Sequence, residues 1–169
     1  MTLRKFVLPL VFSLTLALVG CGSKDKTDGA ADEALVDSVD TASTMGFDIN
    51  SSSDMGGAGG LRTVYFAYNS ATLSGETTST LASNADVLKQ NPAVEIQIEG
   101  HCDERGSIQY NLALGEKRAK AVRDYMVSMG VEARRITIIS YGKEKPLAQS
   151  HEETSWSQNR RGNFVITAK

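Results

Sequence analysis

Residues 100–122 read GHCDERGSIQYNLALGEKRAKAV. Between Gly100 and Gly106 the chain packs a histidine, a cysteine, two acids and an arginine into a tight polar loop. A helix is expected to follow, because Leu114, Ala121, Val122, Tyr125, Met126 and Met129 recur at helical spacing along one stripe. Gly130 is placed to cap it. Arg118 stands four residues after Leu114 and three before Ala121, at the edge of the stripe that should face the core. A permanent cation there requires a partner. Two kinds fit. One is an internal carboxylate, Asp103 or Glu104, in a salt bridge that pins loop to helix; the other is an external ligand with both a carboxylate and an amine, met by Arg118 and Asp103 together.

Moving toward the N-terminus, Val94, Ile96 and Ile98 alternate with Glu95, Gln97 and Glu99, so residues 94–99 are expected as a strand that delivers the chain into the Gly100 loop. Before it, residues 76–90 read as a helix burying Leu81, Ala85 and Leu88, stopped by Asn91-Pro92. Residues 63–68, rich in β-formers, make the first strand. Beyond the motif helix come a strand at 136–141, a helical turn at 153–159 and a last strand at 163–167. The order βαβαβ(α)β argues for an α/β sandwich, with helices covering one face of a small mixed four-stranded sheet.

The first sixty residues are of another kind. Arg4 and Lys5 precede an apolar run over residues 6–16, and Leu18-Val19-Gly20 leads into Cys21. Residues 1–20 read as a signal peptide, too short for a stable spanning helix. Small residues before a cysteine at that point resemble a bacterial lipobox, which implies cleavage before Cys21 and lipid on its thiol and new amino terminus. With Gly22 rather than Asp after the lipidated residue, the resemblance implies the outer membrane as destination. Residues 21–60 hold two lysines against eight acids and end in Gly56-Gly57-Ala58-Gly59-Gly60. They are expected to be a flexible linker spanning roughly 35 Å as a coil, with weak helical character at 30–39. The domain is then residues 61–169. If Cys21 carries lipid, Cys102 has no disulfide partner. A nearly neutral domain on an acidic tether, with a net charge of −2 for the whole chain, does not suggest nucleic acid.

The pattern Gly100-His101-x-Asp103-x-x-Gly106, then Asn111, Leu114, Arg118 and Ala119, resembles the peptidoglycan-binding motif of the outer-membrane-protein-A-like (OmpA-like) domain. The tetrad Asp103-Glu104-Arg105-Gly106, the run Tyr141-Gly142-Lys143-Glu144-Lys145-Pro146 and Asn159-Arg160-Arg161 resemble more closely the peptidoglycan-associated-lipoprotein branch of that family. The similarity extends from about Val64 to the C-terminus. It implies a non-catalytic, cofactor-free domain that faces the periplasm from the outer membrane and binds the diaminopimelate stem peptide of peptidoglycan. On that resemblance Arg118 grips the ligand carboxylate, Asp103 accepts from its ammonium, and Arg105, Asn111 and Leu114 line the pocket. Tyr68 and Asn69 add backbone contacts. The same resemblance implies a Tol B-like propeller protein and other Tol components as partners, and a part in cell division. The chain departs from relatives at Ala67 and Asn69, where acids are frequent, and at Cys102, where a small residue is usual.

Two further readings attach to the loop. His101, Cys102, Asp103 and Glu104, with His151, have the side chains of a metal site, but zinc ligands normally come as separated pairs. A Cys–His nucleophile would need an orienting group and an oxyanion hole, and neither is visible. The rivals to a Tol-linked wall-binding lipoprotein are therefore a wall-binding relative without Tol partners, and a metal- or thiol-dependent periplasmic protein centred on His101 and Cys102.

Overall fold

The computed structural model describes residues 46–169. The expected signal peptide, Cys21 and the weak helix at 30–39 lie outside the described residues. Four strands form one sheet in the order β1-β4-β2-β3. They are β1 (Val64–Tyr65), β2 (Glu95–His101), β3 (Ile136–Gly142) and β4 (Arg161–Ala168). Strands β2 and β3 are parallel, while β4 runs antiparallel to both β1 and β2. The sheet is thus mixed, with helix α1 (Gly75–Gln90), helix α2 (Ile108–Ser128) and the short α3 (Glu153–Asn159) interleaved in the expected order.

Alternation in β2 works as read: Ile96 and Ile98 are fully buried and meet Phe164 and Ile166 of β4 in the core. Leu81, Ala85 and Leu88 of α1 close it from above. Ser74 caps α1 by accepting from the Thr77 amide.

Helix α2 buries Val122 and Met126 of the expected stripe, with Tyr125 and Met129 packed against the core, but the rest of its buried face is small and polar. Its buried positions are Asn111, Gly115, Arg118, Ala119, Val122 and Met126, with Leu114, Ala121, Tyr125 and Met129 only half-buried on the flanks. The cause is backbone proximity. A Cβ on Gly100 would stand 1.9 Å from the Gly115 carbonyl oxygen, and one on Gly115 would stand 2.3 Å from Ser140 Oγ. The helix lies directly on β2 and β3 through two glycines, which hydrophobicity does not count. Gly130 ends the helix in the left-handed region at φ 97°, as its position predicts.

Two boundaries differ from expectation. Strand β1 is only two residues long, although the Phe66 amide still donates to the Arg160 carbonyl at 2.9 Å. More importantly, the expected linker ends well before Gly60. From Phe47 onward the chain is part of the fold: Phe47 pairs with Ala58, and Ser52 bridges Val165. The Asn50 amide donates to Ile166 O at 2.9 Å, and the Ile166 amide donates to Ser51 O at 3.0 Å. This strap covers the part of β4 that short β1 leaves open, satisfying an edge that would otherwise expose its polar groups. It is clipped by Asp54, which accepts from Arg161 at 2.7 Å with both side chains buried, and by Ser53, whose hydroxyl donates to Asn163.

Candidate ligand-binding site

Three segments converge at the C-terminal end of β2. The first is the loop after β1, Ala67 to Ser70; the second is the loop from Cys102 to Gly106; the third is the first half of α2. Arg118 joins them. It is wholly buried and donates through Nε to Ser70 O at 2.8 Å, through Nη1 to His101 O at 2.8 Å and through Nη2 to Ala67 O at 3.0 Å. Neither Asp103 nor Glu104 is its partner, so the expected internal salt bridge is not formed. Two strands run out at this point and leave carbonyls without ladder partners. A planar guanidinium with five donors is suited to collect them.

Asp103 is buried too. Its Oδ1 accepts from the Arg105 amide at 3.1 Å, and its Oδ2 accepts from Arg105 Nη2 at 2.5 Å and from Arg160 Nη1 at 3.4 Å. Burial works to raise this carboxyl's pKa, but the bonds from Arg105 and Arg160 outweigh it and hold the group below its usual value. The loop is fastened from both sides. Asn111 donates to Arg105 O at 2.9 Å, and Lys143 donates to Glu104 O and Gly106 O at 3.1 and 2.7 Å.

Between these segments lies a cavity of about 150 Å³. Tyr68 and Asn69 line it from the first loop, Asp103 and Arg105 from the second, and Asn111, Leu114 and Arg118 from α2. All seven residues singled out in the sequence therefore meet at one opening. Tyr110, which was not among them, also lines it, and its hydroxyl donates to Asn69 across the cavity mouth. Arg160 is another omission: buried, it donates to Phe66 O at 3.1 Å and pairs with Glu153 and Asp103, tying the first loop to the second. Its signal was the Asn159-Arg160-Arg161 run.

His101 and Cys102 do not act together. The His101 ring faces Glu99, at 3.4 Å, and Tyr141, whereas Cys102 Sγ donates to Asn111 O at 3.4 Å. Burial pushes the thiol pKa up, away from a nucleophilic thiolate. His151 is on the surface against Glu104. Among the described residues no group of three or more His, Cys, Asp or Glu side chains is placed to hold a metal.

The OmpA family matches residues 65–160, which hold the cavity and its supports. A peptidoglycan-associated lipoprotein of Pseudomonas aeruginosa is 39% identical over 164 residues, covering 95% of this chain and 97% of that one. The chain belongs to the peptidoglycan-associated lipoproteins of the OmpA family. This is not a family of enzymes. The crystal structure of the peptidoglycan-associated lipoprotein from Burkholderia pseudomallei superposes with a TM-score of 0.61 at 44% identity, over 63% of this chain and 90% of that one. The cell wall anchor of the T6SS from Pseudomonas aeruginosa is similar at 26% identity and a TM-score of 0.55, over 63% of this chain and 80% of that one. The mixed sheet with its helices is thus the OmpA-like α/β fold.

Proposed function

We propose that the protein binds peptidoglycan non-covalently through this cavity and, held by lipid on Cys21, ties the outer membrane to the wall from the periplasmic side. The observation that carries the reading is the convergence of seven residues, from the loop after β1 and from the distant 103–118 stretch, on one opening with a carboxylate and two guanidiniums in its wall. The ligand class is the stem peptide carrying diaminopimelate, whose free amine and carboxylate need an acid and a cation side by side. Asp103 supplies the acid, Arg105 and Arg118 the cations, and Leu114 an apolar contact for the side-chain methylenes. The names of its relatives support the wall as ligand. Within this reading a Tol B-like propeller protein and other Tol components are the protein partners, and the task belongs to envelope integrity and division.

Co-sedimentation with purified peptidoglycan tests this. The chain from residue 22 onward should be retained by the wall and released by soluble diaminopimelate stem peptide, and less well by the same peptide with lysine in that position. Asp103→Asn, which keeps the side chain's shape, should cut retention by about tenfold, the effect of one charged hydrogen bond. Unchanged retention by a folded Asp103→Asn variant would remove the cavity from the explanation.

A further inference from the structure

Trp156 is not part of the cavity lining, yet it touches the most exposed cation there. The Arg105 guanidinium packs over two rings, 4.0 Å from the centroid of Tyr68 and 4.1 Å from that of Trp156. Trp156 is itself fixed: its indole N–H donates to Glu104 Oε1 at 2.8 Å, and that carboxylate is also held by His151 Nδ1 at 2.8 Å. A flat cation packed over two rings loses its freedom to swing without losing its hydrogen-bonding edge. Along that edge Nη2 bonds Asp103 at 2.5 Å, which fixes the guanidinium in its plane as well. Arg118, by contrast, donates from each of its three nitrogens to backbone carbonyls.

We infer that Trp156 is a positioning residue of the ligand site: packed against Arg105, it fixes the guanidinium that lines the cavity beside Asp103. The inference rests on the wall-binding reading and sharpens it. Arg105 becomes a cation held in place from outside the cavity, while Arg118 also assembles its walls. Residue 156 enters the site from α3, whose Glu153 also stands 3.7 Å from Arg105.

The test is calorimetric titration of a soluble peptidoglycan fragment with a diaminopimelate stem peptide into the chain from residue 22 onward. Trp156→Leu should weaken binding by about tenfold, the size of a partly desolvated cation–π contact, whereas Trp156→Phe, which keeps a ring, should stay within about threefold of wild type. In an Arg105→Ala background Trp156→Leu should have no further effect, since the cycle isolates what passes through the arginine. Wild-type affinity in Trp156→Leu, or an equal loss with and without Arg105, overturns the inference. Should Trp156→Leu fail to fold, Glu104→Gln, which weakens the indole's acceptor, is read in the same cycle with the same two outcomes. A wild type that binds no fragment refutes the wall-binding reading itself and is thereby distinguished from failure of this one.

Discussion

Arg118 shows how a residue can sit in a ligand cavity and still owe its presence to the fold. Removing it strands three carbonyls, of Ala67, Ser70 and His101, at the bottom of the site. At about 1–3 kcal/mol for each acceptor left unpaired, the loss is at most about 3–9 kcal/mol, and less where water reaches the part-buried Ala67 and Ser70 carbonyls, against the ~5–15 kcal/mol that holds a domain. Arg118→Ala should therefore lower the urea midpoint sharply. Arg118→Lys should recover only a fraction, because an ammonium on a single stem cannot reach three divergent acceptors in one plane. Loss of wall binding in Arg118→Ala then reports collapse of the cavity as much as loss of a contact. Asp103 carries a second residue-level expectation. Its folded pKa lies below the ordinary value of 3.8, so its charged form stabilises the native state above that pH, and the stabilisation disappears as pH falls through the folded value. Asp103→Asn should flatten the acid limb of a stability profile recorded from about pH 6 to pH 2; an unchanged limb would mean that Asp103 is not depressed.

Among the elements, the strap from Phe47 to Gly60 has the most to say about what the sequence discloses. Arg161 is buried, and its close acid is Asp54 in the strap; its other bonds, to Asn159 O and Lys145 O, are at 3.5 Å. Asp54→Ala leaves a buried cation without its counter-charge and should cost about 3–5 kcal/mol, seen as a lower melting temperature, with Asp54→Asn intermediate. Deleting residues 46–60 should destabilise further, by also uncovering the edge of β4 and removing Phe47. A domain cut at residue 61 that melts like the longer chain would make the strap an ornament. None of this was legible, because a Gly-, Ser- and Asp-rich strap has the composition of a linker; Phe47, the one aromatic of the stretch, was its only mark. The strands and α1 were legible because their burial follows simple periods. The buried face of α2 was legible only in part: Val122 and Met126 follow the stripe, whereas its first half is set by the closeness of Gly100 to Gly115. At the site, the 100–118 stretch held five of the seven lining residues, and Tyr68 and Asn69 came from the family resemblance. The partners of Arg118 are carbonyls, which carry no sequence signal, and Trp156 reaches the loop from 52 positions beyond Glu104.

For the molecule as a whole, the direction of the strands sets the geometry of any pull between tether and wall. The strap enters beside Ile166, near the end where Glu95 faces Ala168, and Lys169 pairs with Asp48 there at 3.6 Å. The cavity lies at the other end, beyond the Gly100 and Gly162 pair. On the proposed reading, force from membrane to wall therefore runs along the strand axis. Pulled that way, the strap must slide along β4, and the Asn50, Ser51, Ser53 and Asp54 contacts resist together. Pulled between residues 46 and 169, which lie at one end, the same contacts open one after another. Single-molecule pulling between residue 46 and a handle at Ile108 should thus show a higher first rupture force than pulling between residues 46 and 169. Release of the strap in the first geometry should lengthen the chain by up to about 50 Å, at ~3.4 Å per residue, before the core yields. Asp54→Asn should lower that first force and leave the second event where it was. Equal forces in the two directions would mean that the strap closes the edge of the sheet without bracing it, and that resistance to a pull resides in the core alone.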